Sequence, residues 1–512
     1  MSSFSQAGRV NTIPTRDSNQ ISRGQAALSL ISAILVAAAV LLPLLGHKAL
    51  ADWDEGIYAE VSREFLGRGW LIPHWHFQPW FEKPPLGLWL TAIFYRIFSV
   101  SEFWARAASA LASVGLVGAV HAIALRTRRI RAAWIATCIL LTSFGFLRVA
   151  RMGELDALLT LGCIAAIWGL TRVSNDEMTG WYWFWTGFAV AAMTKGAASI
   201  TLVLTLLVLL VWNRWGWRQL SWPFWGGLCV FAALVLPWHL YMLQTFGRAF
   251  LREYLALHVI ARATSQMENH TTPWWYYLKV LTAYTSPWLI LFPFALWWQV
   301  RRRELREWVV FAAVVLIFFS VVATRSPKYI FPAYPALALI TGDWLAASLE
   351  NRSRRFVWLG ALAAFATYGA ACVATKPLRQ SLTTTRNASG TVLHADREGE
   401  ALLKTALAAS DVARLSGPVL LWQEDTVAQL PTLLFAVRRP FQQVYLVHSP
   451  DTLDQARRYA DPEPLRNFVG PSPILILLEK QVLTEIPSDM EFHAIAVGKT
   501  FEAGTIQLVK KP

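Results

Sequence analysis

Long apolar runs separated by short polar or basic connectors fill residues 26–375. Eleven of them, at about 26–46, 103–125, 132–147, 156–173, 181–197, 199–213, 222–243, 279–300, 306–324, 329–348 and 356–374, read as candidate membrane helices. A helix needs roughly 20 residues to cross the hydrocarbon core. A twelfth run, 86–100, holds about 15 residues, is interrupted by Arg96, and reads as a helix lying at the interface. The expected architecture is an all-α polytopic membrane domain of about 11 helices, within a range of 11–13. Beyond it the pattern changes: 418-PVLLW-422, 443-QVYLV-447, 473-PILILL-478, 492-FHAIAV-497 and 505-TIQLV-509 have the length of buried strands, and 452-TLDQARRYA-460 reads as a helix between two of them. The chain thus divides into a tail, 1–25, a membrane domain, 26–375, with a large first loop at 47–102, and a small C-terminal α/β domain, 376–512, that opens on a polar linker.

Composition narrows the class. Of 512 residues, 55% are hydrophobic and only 16% charged, too apolar for a soluble chain of this length. The net charge of +14 raises the question of nucleic acid, but the arginines sit in short clusters between apolar runs, the distribution of membrane topology. No nucleic-acid partner is expected; membrane lipids are. Cys138, Cys163, Cys229 and Cys372 lie in or beside apolar runs without CxxC spacing, which suggests neither a disulfide framework nor a zinc-thiolate site. Ala49-Leu50-Ala51 resembles a signal-peptidase site, yet the run before it, Ala26–Gly46, is longer than a signal h-region of about 7–15 residues and is read as a retained first span. The triplet 498-GKT-500 lacks the glycine a phosphate-binding loop needs five residues earlier.

Charge then assigns sides. The N-terminus falls on the same side as 126-RTRRIR-131, 214-RWGWRQLS-221, 301-RRRELR-306 and 350-ENRSRR-355, which makes that side cytoplasmic. The opposite, periplasmic side of a bacterial inner membrane receives 47–102, 148–155, the corner at Lys195-Gly196, 244–278, 325-RSPK-328 and the C-terminal domain. Nearly every unusual polar residue of the membrane domain gathers there.

The first loop opens with Asp52, Asp54, Glu55 and Glu60, and the pattern from Ile57 to Phe65 is an amphipathic helix ended by Gly67 and Gly69. Asp54 and Glu55 at its start suit either helix capping or acid-base work. Lys83 follows Glu82 and is braced by Pro84-Pro85; it suits either a snorkelling anchor or an anion ligand. Lys195, at the outer end of a span, needs a partner or a cavity.

The segments 54-DEGIYAEVSREFL-66 and 82-EKPPLGLW-89, followed in order by 151-RMGELDALLT-160, 194-TKG-196, 270-HTTPWWYY-277 and 325-RSPKYIFPAYPALALI-340, resemble the lipid-dependent glycosyltransferases of the GT-C fold. The nearest likeness is to the bacterial transferases that move aminoarabinose from undecaprenyl phosphate to lipid A, with protein O-mannosyltransferases more distant. The resemblance implies transfer of a sugar from a polyprenyl-phosphate donor to a cell-envelope acceptor, which is lipid A, another glycan or a protein. It implies Asp156 lining the site and Lys83 gripping the donor phosphate; for that chemistry Asp54 is the candidate general base with Glu55 beside it as orienter, Arg262 is a second candidate ligand of the phosphate, and Lys195 suits either a further ligand or a structural ion pair. Glu82 and His270 resemble positions that can hold a divalent metal ion, although two ligands alone do not make a metal site. One departure stands out: the family's first loop commonly reads DEPRY, and the position of its arginine is Ile57 here. The donor sugar is therefore left open. A transporter or flippase of a lipid-linked or envelope precursor is the competing class, and it would place its polar residues at mid-depth.

Overall fold

The computed structural model describes residues 22–48, 50–51, 54–75, 77–126, 129–213, 215, 220–261, 264, 273, 275–350, 368, 370, 374, 376, 392–409, 412, 414–415, 418–422, 435, 441–445, 463–499 and 501–509. The helices are α1 (Arg23–Leu41), α2 (Asp54–Arg68), α3 (Leu86–Ile97), α4 (Glu102–Leu125), α5 (Ile130–Thr142), α6 (Phe144–Ala150), α7 (Asp156–Ser174), α8 (Gly180–Lys195), α9 (Ile200–Trp212), α10 (Trp222–Phe246), α11 (Tyr276–Thr285), α12 (Phe292–Arg302), α13 (Arg306–Val321), α14 (Ala333–Leu349) and α15 (Val392–Ala408). Ten of the eleven apolar runs fall on these helices, and the run 356–374 lies almost wholly outside the described residues. Among the described residues, five helical segments are long and apolar enough to cross a membrane, or six if the bent pair α5–α6 is one span.

Continuity differs from the expected eleven plain spans, for local reasons. Run 132–147 bends by 72° between α5 and α6, where Ser143 takes an extended backbone. Run 279–300 divides into α11 and α12 across Ser286-Pro287, since proline has no N–H to continue the ladder. The 33-residue segment Gly180–Trp212 is interrupted at its middle, where Lys195 leaves helical geometry at φ −152° and ψ 71°. Trp215, just beyond α9, packs edge-on against Trp181 at the start of α8, so the chain has returned to the side from which α8 set out. The corner expected at Lys195-Gly196 is there. Helix α3, with 12 residues, is about 18 Å long and too short to span.

Arginines close the polar ends that short loops leave open. Arg151 donates to the carbonyls of Val40, Leu41 and Pro43 at the end of α1, at 3.0, 3.0 and 2.6 Å. Inside the bundle His121 of α4 joins Ser29 of α1 and Thr137 of α5, each at 2.9 Å, so this buried imidazole has both nitrogens engaged. At the opposite end of α14 from residue 328, Arg129 and Gln299 hold Asp343 at 3.2 and 2.7 Å.

The C-terminal domain carries a six-stranded sheet. A hairpin of the first loop supplies β1 (His74–Trp75) and β2 (Gln78–Pro79); the sheet proper uses β3 (Val419–Trp422), β4 (Phe441–Tyr445), β5 (Glu463–Pro464), β6 (Ile474–Glu479), β7 (Met490–Val497) and β8 (Phe501–Leu508) in the order β5-β4-β3-β6-β8-β7. Its first four strands are parallel, and β8 and β7 add antiparallel. All five expected strands are present, each within a few residues; the expected helix 452–460 lies outside the described residues.

This domain changes the environment of α2. The sequence predicts an amphipathic helix at a water interface, whereas Glu60 and Ser62 are fully buried together with Ile57, Val61 and Phe65. Ile57, Val61 and Phe65 share one apolar cluster with Leu88 and Ala92 of α3 and with Leu403, Ala406, Leu421 and Leu477 of the C-terminal domain. The polar face of α2 is thus buried along with the apolar one, so those side chains must find partners. Glu64 accepts the Phe77 N–H at 3.0 and 3.2 Å. Burial and then repulsion by Glu60 push its carboxyl up from 4.5 to about 7. The folded state therefore binds this proton more tightly than the unfolded chain, so its stabilisation is complete below pH 4.5 and is lost as pH rises toward 7. Glu64→Gln is expected to raise thermal stability at pH 8 by on the order of 1–3 kcal/mol and to flatten its fall above pH 5, as read by thermal unfolding in detergent at both pH values.

Candidate active site

Helices α7 and α8 pack antiparallel with their backbones in contact. A Cβ on Gly162 would lie 2.7 Å from the Gly187 carbonyl oxygen, and one on Gly169 would lie 2.5 Å from that of Gly180. The two glycine pairs, each spaced by seven residues, fix the register of the helices. That register sets the first residue of α7, Asp156, beside the last residue of α8, Lys195. Lys195 Nζ donates to both carboxylate oxygens of Asp156 at 2.9 Å, and its charge lies 5.6 Å from the centre of the Tyr329 ring. An acid at a helix N-terminus and a base at a C-terminus are each favoured by the helix dipole. The pair is buried, with Asp156 only 1% exposed.

The start of α2 is fixed separately. Glu55 is held by Arg106 of α4, whose Nε and Nη2 donate at 2.7 and 3.1 Å, and by the backbone N–H groups of Ala51 and Gly153 at 2.6 and 2.7 Å. Arg106 reaches further, to the carbonyls of Leu45 and Lys48 at 2.6 and 2.7 Å. Glu55 thus ties together the first loop, α4 and the 151–155 turn. Its carboxylate is taken up by these partners, at the residue next to Asp54.

Asp54 bonds Lys328, which arrives from the turn Pro327–Ile330 just before α14. The same ammonium lies 3.4 Å from Glu154 Oε2. Burial alone would raise the Asp54 carboxyl, but Lys328, Lys195 and Lys83 together outweigh it and hold Asp54 far below the usual carboxylate range. Burial likewise works against the Lys328 charge, and Asp54, Glu154 and Asp156 more than restore it, so Lys328 stays protonated well above its ordinary range. Glu154 goes the other way: burial, aided by Asp156 and Asp54, raises its carboxyl despite Lys328. Its Oε2 makes no hydrogen bond among the described residues, nor does the buried hydroxyl of Tyr58, which feels Asp54, Asp156, Glu82 and Glu154. Lys83 lies 3.5 Å from Glu82.

Of the residues expected from the sequence, Asp54, Asp156, Lys195, Lys83 and Glu82 therefore gather at one end of the bundle, with Glu55 at their edge. Arg262 and His270 lie outside the described residues. Among the described residues no three His, Cys, Asp or Glu side chains are grouped to hold a metal ion, and Glu82 faces a lysine. Two members of the cluster, Lys328 and Glu154, were not singled out by the sequence, although both stand in the motifs 325-RSPKYIFPAYPALALI-340 and 151-RMGELDALLT-160. Chemically the cluster offers carboxylates beside buried ammonium groups, able to orient a nucleophile and to meet a departing anion.

Residues 82–241 match the family model described as dolichyl-phosphate-mannose-protein mannosyltransferase. An undecaprenyl phosphate-alpha-4-amino-4-deoxy-L-arabinose arabinosyl transferase of Shewanella sediminis is 30% identical over 326 residues, 61% of this chain and 59% of its own length. A transferase of the same description from Pseudomonas fluorescens is 32% identical over 337 residues, 62% of this chain and 58% of its own. The matched segment thus spans less than two thirds of these curated relatives. The crystal structure of ArnT from Cupriavidus metallidurans bound to undecaprenyl phosphate superimposes with a TM-score of 0.71 at 21% identity, covering 95% of this chain and 98% of that one. Its apo form gives 0.70 at 20% identity. The fold is that of the GT-C transferases, and the resemblance read from the sequence holds in both sequence and architecture.

Proposed function

We propose that this multi-pass membrane protein is a glycosyltransferase that moves a sugar from a polyprenyl-phosphate donor to a cell-envelope acceptor, such as lipid A, another glycan or a protein. The observation that carries the reading is the convergence of Asp54, Glu154 and Asp156 with Lys328, Lys195 and Lys83 at one end of the bundle. A transport path favours polar residues at mid-depth; the gathering of these at one end, opposite Arg129 and Asp343, supports the enzyme over a flippase.

In this reading the acceptor oxygen attacks the anomeric carbon while the bond to the phosphate oxygen breaks, with inversion. The departing electron pair goes to a lipid phosphate met by Lys83 and Lys195, with Arg262 as a further ligand. Asp54 orients the acceptor hydroxyl and takes its proton. Such a transition state has oxocarbenium character, and the hydroxyl becomes acidic as the new bond forms, so even a weakly basic carboxylate serves. The divalent ion envisaged at Glu82 and His270 carries no step. The basic loops support an inner membrane location with a cytoplasmic N-terminus and with the site and residues 376–512 in the periplasm. The contact of the C-terminal domain with α2 and α3 supports its lying on the side of the site.

Lipid extracted from the purified protein and examined by mass spectrometry is expected to contain polyprenyl phosphate or its glycosyl ester. Bulk phospholipid alone, in a preparation that also fails to take up added polyprenyl phosphate, counts against the proposal.

A further inference from the structure

The arginine position of the first-loop signature is Ile57, which is 5% exposed and packed in the apolar cluster of α2, so it offers Asp54 nothing. Any fixed cation for Asp54 must come from another element. Lys195 is committed to Asp156 through both carboxylate oxygens, and Lys83 lies beside Glu82. Lys328 comes from 274 residues away in sequence and reaches Asp54 Oδ2, with Glu154 Oε2 3.4 Å on its other side. It is carried on the short turn Pro327–Ile330, whose first residue is a proline and which leads directly into α14. Both ends of the bridge are thus anchored, one by Glu55 and Arg106 and the other by α14.

We propose that Lys328, held between Asp54 and Glu154, is a positioning residue that supplies the cation missing at position 57 and fixes the orientation and ionisation of Asp54. The proposal rests on the glycosyltransferase reading for its consequence but not for its test. Glu154 has the opposing part: it draws Lys328 partly away from Asp54 and adds a like charge. The charged and titratable groups around Asp54 are Lys328, Lys195, Lys83, Glu154, Asp156, Glu82 and, on its own helix, Tyr58. Of these Lys328 bonds it through its ammonium. Loss of Lys328 leaves burial to raise the carboxyl, whereas loss of the Glu154 charge lowers it.

The test reads Asp54 directly. The infrared band of its protonated carboxyl, identified by its absence in Asp54→Asn, is followed against pH in the full-length protein. In the unaltered protein the carboxyl should stay ionised below pH ~4; in Lys328→Met its titration should move up by at least about one pH unit, and Lys328→Arg should restore it in part. Glu154→Gln should move it down or leave it below the accessible range. If an active preparation is in hand, the acid limb of kcat/KM should follow the same order. An Asp54 titration unchanged in Lys328→Met overturns the proposal, as does an upward move in Glu154→Gln. Should Lys328→Met fail to fold, Lys328→Gln and the sign of the Glu154→Gln shift decide it. Absence of sugar transfer by a protein in which Lys328 does control Asp54 would sink the glycosyltransferase reading alone.

Discussion

Arg106→Ala is expected to destabilise the protein by about 3–5 kcal/mol, enough to remove most of it from the membrane fraction. Arg106 is 6% exposed and Glu55, its partner, 2%. Removing the guanidinium leaves the Glu55 carboxyl group in the interior with, among the described residues, the backbone N–H groups of Ala51 and Gly153 to hold it. It also strands the carbonyls of Leu45 and Lys48, which follow α1. Breaking a buried pair from one side costs far more than removing both partners. Glu55→Gln with Arg106→Met should therefore recover a substantial part of the loss. Thermal unfolding in detergent, with protein yield, reads the difference; equal damage from the single and double variants would show that the pair is not the tether of α2.

Asp54→Asn is expected to slow sugar transfer by about 10²–10⁴-fold while leaving protein yield and binding of polyprenyl phosphate close to normal. The amide keeps the shape and can still accept a hydrogen bond from Lys328, which retains Glu154 at 3.4 Å. What it cannot do is take a proton. The expected signature is thus a fall in kcat with little change in KM. A KM effect alone would make Asp54 a binding group, with the proton going elsewhere.

Much of this arrangement was legible in the chain. Apolar runs gave the helices because a span must be apolar along its whole length. The α8–α9 corner was visible at Lys195 for the same reason. Asp54, Asp156, Lys195 and Lys83 came from local motifs, and the fold brought them together. What local reading could not supply was pairing across the fold. Glu55 looked like a neighbour acting on Asp54, but its carboxylate is taken by Arg106, 51 residues on. Lys328 meets Asp54 across 274 residues, and nothing in the turn 325-RSPK-328 distinguishes it from an interfacial lysine. The glycines Gly162, Gly169, Gly180 and Gly187 did hold a signal: two pairs at the same spacing on consecutive helices predict close packing in one register. The packing of α2 was hidden because part of the apolar cluster it joins, that of the sheet domain, begins more than 300 residues later.

The most direct test of the central claim is a transfer assay. The purified protein is incubated with a panel of radiolabelled polyprenyl-phosphate sugars and cell-envelope extract, and label is counted in the acceptor fraction. The account predicts transfer from at least one donor, lost in Asp54→Asn; no transfer and no donor hydrolysis across the panel, or full activity in Asp54→Asn, would contradict it.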